Sequence, residues 1–301
     1  MKKVLFPILA LVLAFGLALP MAAAAIDPDP GLVALWHFDE GSGALTVADS
    51  SGNGNTGTVV GATTGVVGKF SNALRFDGIN DYVEVPDPGI ASSLDLDRAT
   101  LEAWIYIDPT LPTGFLNIVR KGHGLNRTYG LDIGLPGPRR MRGWANLGPA
   151  GNSTALVANG ATTLATGQWY HVAMTYDGSR VRVYVGGILD GISGNFVGNI
   201  FDNNLSVRIG GQPSGDSQGA MAFKGLIDEV RIWSTALNAS QLDDVTPPVV
   251  TATADPVPNA AGWNNTDVTV TFSATDTGGS GVETVTSPVT VTEGASQVIT
   301  G

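Results

Sequence analysis

Among the first 245 residues, three acidic residues are the best candidates for metal binding. Asp39 and Glu40 directly follow one apolar run, and Asp228 lies within another. If those runs are paired strands, the three carboxylates would converge at one end of a sheet, beside the Asp- and Asn-rich loop 49–55. Ca²⁺ takes about six to eight oxygen ligands, several of them anionic, on loops that contain glycine. The pattern therefore predicts a calcium site, and the alternative is that the loop is only an Asx-type turn.

Catalytic chemistry has little support in the sequence. The chain has no cysteine, which excludes a thiol nucleophile. Its three histidines, His37, His123 and His171, show no metal-ligand spacing, and no Gly-x-Ser-x-Gly elbow occurs. We therefore predict that the chain is not an enzyme and assign no catalytic residues.

The elements that must position the acidic residues are strands. Apolar and β-branched runs are separated throughout by Gly, Pro, Asn and Asp, which is typical of β-proteins. The clearest unit is a hairpin over residues 170–185, in which apolar residues alternate on both sides of Asp177-Gly178-Ser179. Asp and Gly suit the positive φ angles of a tight turn. A further short turn at Gly186-Gly187 leads into another predicted strand.

Many short strands at regular spacing predict an all-β, two-sheet antiparallel sandwich. Further strands are predicted at residues 33–38, 73–76, 82–85, 100–107, 117–121, 129–133, 205–209 and 226–233. The first and last strands of such a fold usually meet, so 33–38 should pair with 226–233 and close the domain near Val245. Residues 237–242 predict one short helical turn, with Asn238 as its N-cap.

The first 25 residues predict export. Lys2 and Lys3 precede an apolar run over 4–19, and small residues lead to Ala25, which describes a secretory signal peptide. The run is short for a membrane anchor, which is the alternative. We expect a secreted or cell-surface protein with no membrane insertion after cleavage. The lack of cysteine favours a bacterial exported protein whose core stands without disulfides.

The charge of the chain limits its partners. It carries 27 acidic and 16 basic residues, a net charge of −11. Nucleic acid is excluded as a partner, because phosphate contacts need Lys and Arg. The acidity is compatible with calcium binding, or with a role in solubility alone.

The composition changes at Thr246. Residues 246–301 contain no Lys or Arg and are rich in Thr and Val, with strands predicted at 268–272 and 287–292. This segment resembles part of a bacterial immunoglobulin-like module. It is too short for a complete sandwich of that type.

Five phrases along residues 36–233 together resemble the laminin-G-like jelly-roll modules of the concanavalin A-like lectin/glucanase superfamily. They are Trp-His-Phe-Asp-Glu-Gly-Ser-Gly at 36–43, Asp-Ser-Ser-Gly-Asn-Gly-Asn at 49–55, Leu-Arg-Phe-Asp-Gly at 74–78, Gln-Trp-Tyr-His-Val at 168–172 and Gly-Leu-Ile-Asp-Glu-Val-Arg-Ile-Trp at 225–233. The resemblance covers nearly all of residues 26–245. It implies a jelly-roll domain with a structural calcium.

The resemblance also implies a ligand set and a function. The implied calcium ligands are Asp39, Glu40, Asp49, Asn55 and Asp228. Glucanases of the superfamily place two Glu and an Asp at alternate positions on one strand, and none of the six glutamates here makes that pattern. The implied function is noncatalytic binding of a carbohydrate, or adhesion to a matrix or surface protein. The rival is a structural spacer in a large surface protein or exoenzyme whose activity lies in a C-terminal part beyond this sequence.

A glycan site in such a fold needs aromatic rings that stack on sugar faces, with polar groups for the hydroxyls. The region 123–144 supplies both residue types. The predicted ligand-binding residues are His123, Tyr129, Arg142 and Trp144, with Asn126 and Asp132 nearby. Trp144 lies between Arg142 and Asn146, which favours its exposure, whereas Trp104, Trp169 and Trp233 lie in apolar strands and are predicted to be core residues.

Overall fold

A computed structural model describes residues 4–5, 31–89, 91–110, 116–122, 126–134, 137–148, 155–211, 221–242, 249–256, 263–264, 266–275 and 288–291. The chain divides into two compact units. The larger unit is formed by Pro28–Asp243, and the other by Met1–Asp27 together with Asp244–Gly301.

The larger unit is built from antiparallel strands joined mainly by short turns. Its strands are β2 (Leu32–Trp36), β3 (Thr46–Val47), β4 (Gly57–Val60), β5 (Thr63–Val67), β6 (Asn72–Asp77), β7 (Tyr82–Val85), β8 (Ala99–Ile107), β9 (Leu116–Lys121), β10 (Tyr129–Gly134), β11 (Arg140–Asn146), β12 (Ala155–Asn159), β13 (Trp169–Tyr176), β14 (Val181–Val185), β15 (Ile188–Ile192), β16 (Val207–Ile209) and β17 (Lys224–Trp233). A single short helix, α1 (Ala239–Leu242), follows β17 in the described part of this unit.

These strands form two sheets, which confirms the predicted jelly-roll sandwich. The front sheet has the order β12-β11-β10-β9-β16-β7-β4-β3. The back sheet has the order β15-β14-β13-β8-β17-β6-β5, and β2 also pairs with β17. Trp36 lies opposite Val230, so the first and last long strands of the domain meet as the sequence predicts.

The core lies between the two sheets and is aliphatic and aromatic. Alternate residues of each strand are fully buried, as Leu101, Ala103 and Ile105 show along β8. Residues between them on the same strand point away from the core, because side chains alternate across a sheet. This alternation decides which side chains each sheet presents on its outer face.

Local signals in the sequence explain two of the connections. In the β13–β14 hairpin, Asp177 Oδ1 accepts hydrogen bonds from the backbone N–H of Ser179 and Arg180, and Gly178 has a φ of 94°. Ahead of α1, Asn238 Oδ1 accepts a hydrogen bond from Ser240 N–H, which confirms the predicted cap.

One charged cluster is buried at the edge of the core. The Lys121 side chain is 1 % exposed, and its Nζ lies 2.5 Å from Asp87 Oδ2 and 3.4 Å from Asp202 Oδ1. The same ammonium contacts Asp95 and donates a hydrogen bond of 2.6 Å to the carbonyl of Asn203. The cluster ties the segments around residues 87–95 and 202–203 to the end of β9.

The smaller unit also contains antiparallel strands. β18 (Val249–Asp255), β20 (Val268–Thr275) and β21 (Val289–Val291) form one sheet, and β1 (Val4–Leu5) pairs with β19 (Trp263–Asn264). Strands are present at both positions predicted in this segment. The immunoglobulin-like assignment and the signal peptide stay predictions.

Candidate functional site

Two of the predicted calcium ligands hold the same turn in place. Asp39 Oδ1 accepts a hydrogen bond of 2.9 Å from the backbone N–H of Asn72. Asp228 Oδ2 accepts bonds of 2.8 and 2.9 Å from the backbone N–H groups of Lys69 and Phe70. Pairing of β2 with β17 therefore does bring these two carboxylates to one connection, the turn between β5 and β6.

Asp228 is the most buried of the candidates. Its side chain has no exposed surface, and its Oδ1 atom makes no hydrogen bond within the described residues. Burial raises the pKa of Asp228 to about 7, because an ionised carboxylate is poorly solvated inside the protein. Such a group is neutral over part of the physiological range unless a cation lies beside it.

The other three candidates act on the loop before β4. Both carboxylate oxygens of Asp49 accept backbone N–H bonds, Oδ1 from Leu35 and Ser51 and Oδ2 from Asn55. The Asn55 side chain donates a 2.8 Å hydrogen bond to the carbonyl of Val33. The loop is thus an Asx-type turn fastened to β2, which is the alternative that the sequence left open.

Glu40 binds the same loop before β4. Its Oε1 atom accepts a 2.7 Å hydrogen bond from Ala48 N–H, and its Oε2 atom is buried with no hydrogen bond in the described part of the chain. No three Asp, Glu or His side chains among the described residues are placed to hold a metal ion. The five candidates therefore do not form a coordination shell by themselves. The carboxylates of Asp39 and Asp228 bind the turn between β5 and β6, whereas those of Glu40 and Asp49 bind the loop before β4, and the calcium site stays a prediction.

Two of the predicted glycan-binding residues, Arg142 and Trp144, lie on the outer face of the front sheet. One row of residues runs across this face from strand to strand: Glu84, Arg208, Arg120, Gly130, Trp144 and Val157 are successive partners in register. Asp132 and Arg142 face each other in the neighbouring position. The front sheet therefore carries charged and aromatic side chains on the side away from the core.

Asp132 organises the centre of this face. Arg142 donates two hydrogen bonds of 2.7 Å to its two carboxylate oxygens, and Trp144 Nε1–H donates a third, of 3.0 Å, to Oδ2. A paired arrangement of this kind is among the stronger hydrogen-bonded ion pairs. It fixes the orientation of both Arg142 and the indole ring of Trp144.

The ring of Trp144 lies flat against a glycine. A Cβ atom added at Gly130 would lie 2.4 Å from Cζ2 of the ring. The guanidinium carbons of Arg127 and Arg120 lie 5.3 and 5.8 Å from the ring centroid, within the range of cation–π attraction. Trp144 is therefore packed between the sheet and two arginines.

Four arginines belong to this surface, which we call the arginine face: Arg120, Arg127, Arg142 and Arg208, with Asp132 and Trp144. Arg208 donates a 3.0 Å hydrogen bond to Glu84. The Arg127 guanidinium makes no hydrogen bond or ion pair within the described residues, and its pKa is lowered by burial and by the charge of Arg142. A concentration of cations on one face stands out in a chain with a net charge of −11.

The structure corrects several predictions about individual aromatic residues. Trp144 is only 4 % exposed, so its predicted exposure is wrong: Gly130 removes the side chain that would have lifted the ring from the sheet. Tyr129 points into the core and donates its hydroxyl to the carbonyl of Leu94, so it is not available to a ligand on this face. His123 lies outside the described residues.

The tryptophans predicted to be core residues are also placed differently. Trp104 and Trp169 are half-buried and lie on the outer face of the back sheet, and the buried Trp233 lies on that face as well. Trp104 faces His171, with 5.5 Å between ring centroids. The prediction failed because the back sheet has apolar residues on both of its faces, which hides the alternation.

The sequence reasoning missed Arg120, Arg127, Arg208 and Gly130. A signal was present for Arg208, which is the single charged residue between two apolar residues of a predicted strand and is therefore expected to point outwards. Nothing local indicates that Arg120, Gly130 and Arg208 share one row, because that depends on the register of β9, β10 and β16.

A two-sheet jelly roll with a polar, partly buried outer face defines a lectin-like binding module. A laminin G family model, described as concanavalin A-like lectin/glucanases superfamily, matches residues 77–243. The match covers more than half of the chain, so the chain belongs to this superfamily.

Comparison with individual proteins agrees with this assignment. The chain is 28 % identical over 155 residues to the adhesion G-protein coupled receptor V1 of Danio rerio, a match that spans 50 % of the chain and 2 % of the receptor. It is similar in fold to domain 4 of AbnA, a GH43 extracellular arabinanase from Geobacillus stearothermophilus solved in complex with arabinotriose. That likeness has a TM-score of 0.54 and 24 % identity, and covers 72 % of this chain and 98 % of the domain.

A sialidase from Trypanosoma rangeli also contains a similar fold. Its TM-score is 0.52 at 23 % identity, covering 72 % of this chain and 33 % of the sialidase. These structural likenesses concern the fold alone. None of the described helices has the length and apolar character needed to cross a membrane.

Proposed function

We propose that the chain is a noncatalytic carbohydrate-binding module of a secreted or cell-surface protein, and that the arginine face is its ligand site. The observation that carries the proposal is the cluster of four arginines around Asp132 and Trp144 on the outer face of one sheet. This polar cluster is prearranged by hydrogen bonds, and it lies on a protein whose overall charge is strongly negative.

The chemistry of this face suits a saccharide. Guanidinium groups present several N–H donors in a rigid fork, which matches pairs of sugar hydroxyls or a carboxylate group. Arg127 has its donors unused within the described residues, while Arg142 is held in place by Asp132. Binding therefore needs little ordering of the side chains, which favours affinity.

The carboxylates of this face argue for binding rather than glycoside hydrolysis. Hydrolysis of a glycosidic bond needs one carboxyl group that is protonated and able to act as an acid. Asp132 accepts hydrogen bonds from Arg142 and Trp144, and Glu84 accepts one from Arg208, so both carboxylates are engaged by donors of the protein itself. Neither is arranged to donate a proton to a sugar oxygen.

The relatives support the choice of ligand and location. Domain 4 of the arabinanase was solved with arabinotriose, and the sequence relative is an adhesion receptor. Their names point to an extracellular glycan or surface protein as the partner of this chain. A structural calcium near Asp39, Glu40 and Asp228 is part of the same proposal, supported by the unpartnered buried oxygens of Glu40 and Asp228 within the described residues.

A glycan array tests the proposal. The whole chain should bind a subset of the saccharides, and Arg127→Ala should weaken that binding at least about tenfold, the loss expected for one interface residue that contributes about 1.4 kcal/mol. Arg98→Ala, on a loop, is the matched control and should bind as the wild type does. An array on which the wild type binds nothing would favour the rival spacer function.

A further inference from the structure

A second surface lies on the outer face of the back sheet, opposite the arginine face. Trp169, Tyr106, Leu226, Arg75 and Thr63 are successive cross-strand partners on β13, β8, β17, β6 and β5. We call this row the back strip. Neighbouring strands lie about 4.8 Å apart, so the strip is about 19 Å long.

The strip combines an aromatic half with a charged half. The rings of Tyr106 and Trp169 are half-buried and lie 5.8 Å apart between centroids. At the other end the Arg75 side chain is exposed and Leu226 is 9 % exposed. An apolar ring surface that continues into polar groups is the lining that sugar sites need.

A cavity of about 310 Å³ opens beside the strip. This volume lies at the lower end of the range for small-molecule sites, about 300–1,000 Å³. The residues that line it are Arg75, Phe76, Asp77, Tyr106, Asp108, Lys224, Gly225 and Leu226. Aromatic, cationic and anionic groups thus converge on one concave space.

The charged groups of this cavity are only partly engaged. The Arg75 and Lys224 side chains make no hydrogen bond or ion pair within the described residues. Asp108 Oδ1 accepts hydrogen bonds of 2.7 and 2.6 Å from Thr110, which leaves Oδ2 free of hydrogen bonds in the same part of the chain. Both signs of charge are therefore available to the hydroxyl groups of a sugar.

Two other parts of the outer face of the back sheet are covered by side chains of the protein. Leu242 of α1, together with Leu237 two residues ahead of the helix, packs against Ala173 and Tyr184. The face of the Trp104 ring is occupied by Lys69, whose Nζ lies 4.4 Å from the ring centroid. On this face the protein covers Ala173 and Tyr184 with apolar side chains and leaves the Tyr106–Trp169 pair half-exposed.

We propose that the back strip and its cavity form a second saccharide-binding site, in which Tyr106 and Trp169 stack on sugar rings and Arg75, Lys224 and Asp108 bind hydroxyl groups. The strip extends over five strands, so it suits a chain of sugars better than a single ring. This site is independent of the arginine face and stands even if that face binds nothing. With both sites present, one molecule would link two glycan chains, which raises avidity on a surface that carries many copies.

The test uses a glycan array with neutral, acidic and sulfated saccharides, followed by calorimetric titration of the saccharide bound most tightly. The whole chain is compared with Tyr106→Ala and with the double variant Arg75→Gln/Lys224→Gln. The double variant removes exposed or half-exposed charges and should leave folding intact. Ile188→Ala, an exposed apolar residue on the same sheet, is the control.

Binding at the back strip is measured separately by first removing binding at the arginine face. In the Arg127→Ala background, saccharide binding should persist, and Tyr106→Ala or the double variant should weaken it at least about tenfold. Tyr106→Phe should retain it. Complete loss of binding in Arg127→Ala alone, or back-strip variants that bind with unchanged affinity and stoichiometry, would overturn the second site while leaving the arginine face in place.

Discussion

Replacement of Lys121 by Met should strongly destabilise the larger unit. The side chain is 1 % exposed, and its ammonium is the shared partner of Asp87, Asp95 and Asp202. Methionine has a similar length and apolar volume, so the substitution removes the charge and leaves most of the packing. What remains is three neighbouring carboxylates without their central cation.

The expected loss follows from the burial of Lys121, Asp87 and Asp95; the Asp202 side chain is 52 % exposed. Removal of one partner from a buried ion pair costs about 3–5 kcal/mol, because the remaining charge stays desolvated. A domain of this size melts about 2–4 °C lower for each kcal/mol, so the midpoint should fall by about 6–20 °C. Lys69→Met is the matched control, since the Lys69 ammonium contacts aromatic rings and makes no ion pair within the described residues. That cation–π contact contributes about 0.5–1 kcal/mol.

Thermal and urea unfolding of the two variants measure the difference. The Lys121→Met deficit should also shrink between pH 7 and pH 4. Burial, and then a hydrogen bond shared with Asp202, raise the pKa of Asp95 to about 6, and protonated carboxyl groups no longer repel one another. A Lys121→Met variant within about 1 kcal/mol of the wild type at pH 7 would refute the reasoning that the ammonium holds this cluster together.

Three further predictions concern single residues. Partial burial opposes the ionisation of Asp177, but hydrogen bonds from Arg182, Ser179 and Arg180 outweigh it and hold its pKa well below the usual value. Asp177→Ala should therefore lower the free energy of unfolding by about 1–2 kcal/mol at pH 7, measured by urea unfolding. The difference between the wild type and the variant should close as the pH falls below about 4, where the wild type loses this contribution. A difference that does not depend on pH would contradict the role given to Asp177. Gly130→Ala should displace the Trp144 ring, lower stability by about 1–3 kcal/mol and weaken glycan binding on the array, whereas a stable variant with normal binding would show that the ring is not held against the sheet. Saturating Ca²⁺ at about 100 times its dissociation constant should add about 2.7 kcal/mol of stability relative to EDTA, and Asp228→Ala should abolish that difference; equal melting in Ca²⁺ and EDTA would remove the metal from the proposal.

The strands were predictable where side chains alternate and turn residues separate them. The β13–β14 hairpin shows both features, because Val172 and Met174 alternate with His171, Ala173 and Thr175, and Asp177-Gly178 marks the turn. β11 was missed, although its residues alternate between outward Arg140, Arg142 and Trp144 and inward Met141. Glycines within β10 and β11 weaken the pattern that identifies a strand.

The site was predictable in composition and not in geometry. Arg142 and Trp144 are close in sequence, and their polar neighbourhood indicated a ligand surface. The burial of Trp144 depends on Gly130 of another strand, and the row that joins Arg120 to Arg208 depends on strands almost 90 residues apart. Lys121 likewise collects carboxylates from segments that only the tertiary fold brings together.

The most direct test of the central claim is an NMR titration that follows the indole N–H signals of the six tryptophans as the array-selected saccharide is added. Trp144 Nε1–H bonds to Asp132 at the centre of the arginine face, so saccharide binding there should shift its signal, while the core residue Trp36 should not respond. A shift of the Trp169 indole N–H signal would indicate saccharide binding at the back strip. A saccharide that binds while the Trp144 signal stays unmoved would contradict the assignment of the arginine face as the ligand site.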